Sequence, residues 1–385
     1  MNLERTTGAF FGARDENSIF NSLLHEIRGA ELVRMNFVPD TMVSVGASDA
    51  GYYNWIAATL GRPKKHIGLE AYRAEPQDLP AEAQWIANTA GNMENVADCC
   101  ADLVFAGQTI EHLWGDELVN FLLEAHRVLK PGGMIVLDSP NRLITSKIKW
   151  NHPEHTLELT PNEMRNALVL AGFTVKSTAG HWLVDYKDRE LALTDVDVST
   201  LAQRIILAND RPNGSFSWWI IGEKQSDSPV PKTLKSFLSN VYKTAWPERL
   251  TRMCQTAATT KMINEEKWAT SSKDWSGPLV FGPNIPIAPG KWRLGLDVAS
   301  WQGKNSPGIF DVYSNETQSI ISSVELPPNG TSADVMVELE TNETLFGIEI
   351  RLFLNGHLPL TAKLTPRVEA LSHNACESLL IKKSL

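Results

Sequence analysis

The apolar positions of this chain change their period several times. Between Ser18 and Val33, Ile19, Leu23, Leu24, Ile27 and Leu32 recur at helical spacing, which predicts an amphipathic helix lying over a core. Met42-Val43-Ser44-Val45 is then a short apolar run that stops in the small residues Gly46-Ala47-Ser48-Asp49-Ala50-Gly51, and Asn54 to Leu60 is helix-compatible. This pattern predicts a buried strand, a tight turn and a helix. His66-Ile67-Gly68-Leu69 is a second short strand ending in Glu70, and Pro80 to Thr89 has a helical pattern. Ala101 to Ala106 is a further buried strand. Asp116 to Val128 is a helix with Leu118, Phe121, Leu122 and Ala125 on one face, stopped by Lys130-Pro131-Gly132-Gly133. Met134 to Asp138 is the next strand. Thr160, Pro161 and Glu163 give three agreeing signals for a helix start: an N-cap, a proline at the first helical position and a capping box. Phe173 opens a strand, and Ser215 to Ile221 is the last of this part. Strands alternating with helices predict an α/β, doubly wound, Rossmann-like sheet with helices on both faces.

The pattern changes after Lys224. Gln225 to Pro231 reads as a linker, and Thr233 to Ile263 is mostly helical in pattern. From Trp275 on, short alternating runs are broken by Pro, Gly and Asn, as in Lys291 to Val298, Ile309 to Tyr313 and Phe346 to Leu354. Close spacing with turn signals predicts an all-β sandwich. The expected organisation is residues 1–225 as the α/β domain, 226–265 as a helical linker and 266–385 as the sandwich.

Composition narrows the function classes. At 385 residues, more than one core is expected. A net charge of −9 argues against a nucleic-acid partner. Met1-Asn2-Leu3-Glu4-Arg5 has no apolar signal core, and no run approaches the roughly 18 apolar residues of a membrane span, so a cytoplasmic protein is expected. Cys99, Cys100, Cys254 and Cys376 lack metal spacing and read as reduced thiols. Among the twelve tryptophans, Trp150, Trp182, Trp218 and Trp219, with Tyr186, are candidates for a sugar-stacking wall. Trp218 and Trp219 are adjacent in a strand, so one of the two must face the core.

The turn at Gly46 to Gly51 lets a ligand approach the backbone at a helix N-terminus. A carboxylate such as Glu70, at the tip of the next strand, can accept hydrogen bonds from both hydroxyls of a ribose. Together they point to a nucleoside-containing cofactor. Four segments in order make the reading narrower: Val45-Gly46-Ala47 with Gly51; Glu70; Asp102-Leu103-Val104 with Gln108 and Ile110-Glu111-His112-Leu113; and Arg127-Val128-Leu129-Lys130-Pro131-Gly132-Gly133-Met134-Ile135-Val136-Leu137. On these segments the first 225 residues resemble a class I S-adenosylmethionine (SAM)-dependent methyltransferase. The resemblance implies that Gly46, Ala47, Ser48, Asp49 and Gly51 hold the methionine and ribose portions of SAM. It puts Glu70 on the ribose hydroxyls, Asn92 and Met93 at the adenine, and Gln108 near the methionine end. Two departures stand out: Ser48-Asp49-Ala50 makes the loop one residue longer than usual, and Asn92 replaces a frequent acidic residue. The competing cofactor, NAD, lacks its Gly-x-Gly-x-x-Gly fingerprint here.

Gly277 to Arg293 resembles β-sandwich modules of bacterial glycan-assembly enzymes, which implies a carbohydrate-binding-like or an assembly domain. The acceptor site of such folds lies above the carboxyl ends of the strands, here including the stretch Trp150 to His155. A sugar or phenol hydroxyl needs a base, and His155 and His152, with a reference pKa of about 6.5, are the candidates. The other role open to them is to shape the loop. No compact Asp/Glu/His motif marks a metal site; Asp138, Glu111 and Asp185 are the carboxylates that a divalent ion would use. The leading expectation is a SAM-dependent O-methyltransferase acting on a glycan, for instance the terminal sugar of a bacterial surface polysaccharide. Glycan-assembly enzymes are then expected partners, at the inner face of the membrane. The alternatives are a secondary-metabolite O-methyltransferase whose sandwich makes a homo-oligomer, and an inactive methyltransferase-like scaffold that binds glycan.

Overall fold

The computed structural model describes residues 15–186, 189–225 and 228–371. Met1 to Arg5, Ser226-Asp227 of the expected linker and Cys376 lie outside the described residues. The chain divides into two compact units. One comprises Met1–Leu113, Glu117–Ile148 and Glu158–Phe237; the other comprises Trp114–Asp116, Lys149–Leu157 and Leu238–Leu385.

The first unit is built on a seven-stranded sheet of order β3-β2-β1-β4-β5-β9-β6. Its strands are β1 (Thr41–Val45), β2 (Lys65–Leu69), β3 (Ala83–Ile86), β4 (Ala101–Gly107), β5 (Leu129–Pro140), β6 (Phe173–Leu183) and β9 (Ser215–Lys224). The two-residue strands β7 (Asp185–Tyr186) and β8 (Arg189–Glu190) pair apart from it. The first five sheet strands run parallel, whereas β9 is antiparallel to both β5 and β6. The helices are α1 (Glu16–Arg34), α2 (Ala50–Thr59), α3 (Gly115–Val128), α4 (Arg142–Lys147), α5 (Pro161–Leu170) and α6 (Val198–Ile206). Leu32 of α1 and Ile56 of α2 join Met42, Leu103, Phe105, Val136, Ala179 and Trp219 in one apolar cluster, so these two helices cover one face of the sheet. On α5, the predicted capping box is present, with Thr160 and Glu163 exchanging hydrogen bonds with each other's backbone N–H. The doubly wound α/β architecture is as the alternation of elements predicts.

Two local expectations are corrected. The segment expected to be helical at Pro80 to Thr89 contains the edge strand β3, which is parallel to β2 in the register His66↔Ala83 to Leu69↔Ile86. Pairing with a neighbour outweighs the weak helical preference of Ala, Gln and Glu in so short a stretch. Three of the five residues considered for a stacking wall are not available either. Trp182, Trp218 and Trp219 are at most 1% exposed. Because the sheet is covered on both faces at β9, Trp219 enters the cluster beneath α1, while Trp218 donates its Nε1–H to Leu159 O at 2.9 Å. Both tryptophans, rather than one, serve packing.

In the second unit, α7 (Pro231–Met253) precedes two antiparallel sheets. The helical pattern read up to Ile263 stops at Met253, and Thr259–Ile263 is a strand. One sheet has the order β10 (Thr259–Ile263), β11 (Glu266–Thr270), β21 (Thr361–Ala370), β14 (Gly290–Val298), β19 (Met336–Thr341). The other has the order β12 (Ser276–Val280), β20 (Leu345–Asn355), β16 (Gly308–Ser314), β17 (Ser319–Glu325), with β13 (Pro283–Ile287) also on β20. The short pair β15 (Trp301–Gln302) and β18 (Asn329–Gly330) stands apart. Leu294 and Leu296 of the first sheet share a core with Phe310, Val312, Ile350 and Leu352 of the second, as a sandwich requires. No helix among the described residues is long and apolar enough to cross a membrane.

Candidate active site

The strand tips of the first unit assemble the site from the turn outward. Gly46 ends β1 with φ +73° and donates its N–H to Leu69 O at 2.9 Å, which ties the turn to the end of β2. A Cβ at this position would lie 2.8 Å from Thr109 Oγ1, so both the backbone conformation and the lack of space require glycine. Ala47 is buried below it. The extra length of the turn has a local explanation. Asp49 is the N-cap of α2, its Oδ1 accepting the Tyr52 N–H at 2.9 Å, and Gly51 already lies inside the helix. A Cβ on Gly51 would come within 3.0 Å of that carboxylate oxygen.

Glu70 follows β2 and donates its own N–H to Ile86 O. Its Oε1 accepts the N–H groups of Tyr72 and Arg73 at 2.8 and 3.2 Å, which fixes the carboxylate at the strand tip. Asn92 and Met93 come later, in the loop between β3 and β4. The Asn92 side chain is exposed and accepts the Glu94 N–H, while Met93 is buried and its backbone is held by Glu124 and Arg127. Asn92, Asn120, Glu124 and Arg127 line a surface hollow of about 470 Å³ along α3. The residues directly after β3, Ala87 to Thr89, are nearer to Glu70, since Asn88 donates its N–H to the same Ile86 O. The sequence reading did not single them out, because it took β3 for a helix.

Gln108 follows β4 in a left-handed conformation, φ +53°, which is uncommon for a residue with a side chain. Its N–H bonds to Asp138 O at 3.0 Å, and its Nε2–H bonds to Asp138 Oδ2 at 2.7 Å. Asp138 sits on β5 opposite Gly107 and is fully buried. From α1, Arg28 reaches the same carboxylate, with Nε 2.8 Å from Oδ2 and Nη2 3.2 Å from Oδ1. Burial raises the Asp138 pKa above the usual carboxylate range, against the lowering pull of Arg28. Glu111 nearby is also buried, and its pKa is pushed up to about 8. Of the three carboxylates considered for a divalent ion, two are engaged separately, Asp138 by Arg28 and Asp185 by Lys147 at 2.8 Å.

Residues 46–137 match a family model described as a methyltransferase domain. Over these residues the first unit is similar to a methyltransferase domain. The four segments that carry the resemblance lie within or beside this match. A relative from Mycolicibacterium smegmatis, named a probable S-adenosylmethionine-dependent methyltransferase, is 34% identical over 34% of this chain and 51% of its own length. Another from Mycobacterium tuberculosis, similarly named, is 35% identical over 22% of this chain and 30% of its own length. The chain thus spans about half, or less, of the curated relatives it matches. Among solved structures, a SAM-dependent methyltransferase from Archaeoglobus fulgidus aligns over 52% of this chain and 94% of its own, at 20% identity and a TM-score of 0.38. The Burkholderia thailandensis 1,6-didemethyltoxoflavin-N1-methyltransferase, solved with S-adenosylhomocysteine, aligns over 53% of this chain and 79% of its own, at 12% identity and a TM-score of 0.37.

The strand-tip residues suit a nucleoside-containing cofactor such as SAM. The glycine turn leaves backbone accessible at the start of α2, Glu70 presents a fixed carboxylate and Gln108 a fixed amide. The two candidate bases belong to the second unit. His155 is buried, and its ring lies 4.4 Å from that of His152 in a stacked arrangement. The Trp150 ring is 5.6 Å from His155. Arg249 fixes this loop by donating to Asn151 Oδ1 and His152 O. Arg28 was not foreseen. The available signal was a cation at four-residue spacing between Leu24 and Leu32, inside the apolar stripe of α1.

Proposed function

We propose that this protein transfers the methyl group of SAM to a hydroxyl of a glycan. SAM supplies the electrophilic methyl group, while the protein supplies orientation and proton removal. Gly46, Ala47 and Ser48, the α2 N-terminus with its cap Asp49, and Gly51 would border the amino-acid and ribose portions. Glu70 would accept from the ribose hydroxyls, and Asn92 with Met93 is the adenine-side assignment. His155 and His152 are the proposed proton acceptors on the acceptor side. Their rings stack on each other beside Trp150.

The observation that carries the glycan part is the outer side of the second sandwich sheet. There Arg351 forms a two-pronged pair with Asp311, Nε–Oδ1 2.7 Å and Nη2–Oδ2 2.8 Å, and lies over the Tyr313 ring at 3.8 Å. Phe353 flanks it, with the guanidinium 5.1 Å from its ring centre. Aromatic surface next to fixed planar polar groups suits a sugar, which offers apolar C–H faces and hydroxyl rims.

Calorimetry on the full chain tests the two halves of the reading separately. S-adenosylhomocysteine is expected to bind, and absence of binding overturns methyl transfer. A glycan array should show ligands that are lost in Tyr313→Ala. Turnover of a small aromatic hydroxyl compound, with no array signal, would favour a metabolite acceptor and an oligomerising sandwich. His155→Ala and His152→Ala should keep cofactor binding and lose turnover.

A further inference from the structure

The face of the first-unit sheet beneath α1 changes character at the strand tips. Along it, Leu103, Phe105, Val136, Ala179 and Trp219 form the apolar cluster. One alternation further on, the same faces of β4, β5, β9 and β6 present Gly107, Asp138, Ser217 and His181, in the registers Gly107↔Asp138 and His181↔Ser217. A polar row directly beyond an apolar core costs stability unless it has a use. His181 is 1% exposed, and neither of its ring nitrogens has a hydrogen-bond partner among the described residues. Glu31 is the nearest carboxylate, 3.9 Å away. Burial drives the His181 pKa down to about 3, so the ring is neutral and offers both a donor and an acceptor. Gly107 is matched to the row. A Cβ there would fall 2.2 Å from Arg28 Nη2 and 2.7 Å from Asp138 Oδ1. Gln108 accepts a left-handed backbone to aim its amide at the same carboxylate.

We propose that Asp138 is the acceptor-side catalytic residue of the methyl transfer and that Arg28 on α1 occupies it until an acceptor binds. This rests on the methyltransferase reading above and makes a residue of the first unit, rather than the two histidines, the group that takes the acceptor's proton. On that reading Gln108, bonded to Asp138, would also lie at the methionine end of the cofactor and so join the two ends of the site. In the step, the acceptor O–H proton passes to an Asp138 carboxylate oxygen while the acceptor oxygen forms its bond to the methyl carbon. The electron pair of the breaking carbon–sulfur bond stays on sulfur. Arg28, 15% exposed at its side chain and 5.6 Å from the Trp55 ring, must swing off Asp138, so α1 covers the acceptor entrance. His181 then gives the displaced or incoming group a neutral hydrogen-bond partner.

The test needs no knowledge of the acceptor. Sinefungin is a SAM analogue with an ammonium-bearing carbon in place of the methylated sulfur, and S-adenosylhomocysteine is the same frame without that charge. Their affinities are measured by calorimetry on the full chain, wild type against Asp138→Asn and Arg28→Gln. If the Asp138 carboxylate faces the methyl position, Asp138→Asn weakens sinefungin by tenfold or more relative to S-adenosylhomocysteine. Arg28→Gln, which frees the carboxylate, shifts the ratio the other way. Equal changes for both ligands in both variants overturn the proposal and leave the methyltransferase reading intact. Failure of the wild type to bind S-adenosylhomocysteine overturns both. Should Asp138→Asn not fold, an unchanged ratio in Arg28→Gln is sufficient to overturn the proposal.

Discussion

Gly46→Ala is the most informative single substitution in the cofactor turn. The new methyl group must adopt φ +73°, which costs a residue with a side chain about 1–2 kcal/mol. It also meets Thr109 Oγ1 at 2.8 Å. To make room, that hydroxyl must give up the one hydrogen bond its proton makes, shared between Val45 O and Gly107 O at 3.2 Å each and worth about 0.5–1.5 kcal/mol. The sum is about 1.5–3.5 kcal/mol, or a Tm loss of roughly 3–14 °C for a domain of this size. Differential scanning calorimetry should place the loss in the transition of the first unit. S-adenosylhomocysteine affinity should fall at least tenfold, because the displaced turn borders the cofactor. Thr109→Ala in the same chain removes the contact but not the strained φ, so the double variant should recover about 1–2 kcal/mol relative to additivity. Unchanged affinity together with strict additivity would refute both the crowding argument and the place of the turn in the cofactor site.

Three further outcomes are expected. Thr160→Ala breaks the capping box of α5 and should cost about 0.5–2 kcal/mol in urea unfolding of the first unit, with faster amide exchange in the first turn of α5. Arg351→Met leaves Asp311, 3% exposed, without its guanidinium, and should destabilise the sandwich by about 3–5 kcal/mol; adding Asp311→Asn should restore much of it. Glu111 has its pKa raised by burial from 4.5 to about 8, so between these values the folded state holds a proton that the unfolded state releases. Its contribution is therefore lost as pH rises through that window, and Glu111→Gln should flatten the decline in Tm. A decline of unaltered slope in the variant would show that Glu111 is not its source.

Elements with local chemistry were readable from sequence. The start of α5 is written in Thr160, Pro161 and Glu163, which bond to one another within four residues. The strand-turn-helix at Met42 to Thr59 is equally local, and its longer loop became intelligible once Asp49 proved to be a cap. Elements made by distant partners were not readable. Ala83–Ile86 and Thr259–Ile263 are edge strands that exist because β2 and β11 lie beside them. Trp218 and Trp219 read as one inward and one outward residue, because nothing in the local pattern announces helices on both sides of β9. The Arg28–Asp138 pair joins residues 110 positions apart. Each is unremarkable alone: a cation in a helical stripe and an acid at a strand end.

The reversed strand β9 sets an order of assembly. β6 meets the rest of the sheet only through β9, which is inserted between it and β5. A nascent chain ending before Ser215 therefore holds two sheet fragments: β1 to β5 with open hydrogen-bonding groups along β5, and a solitary β6. Trp218 and Trp219 have not yet been made at that stage, and neither face of the gap has its filling. The His181 end of the polar row and its Asp138 end become neighbours only when this last strand is threaded in. Closure of that gap joins contacts far apart in sequence and is the expected slow step of folding in this unit. A chain truncated at residue 214 should accordingly bind a dye for exposed apolar surface and form aggregates, whereas one ending after α7 begins should not.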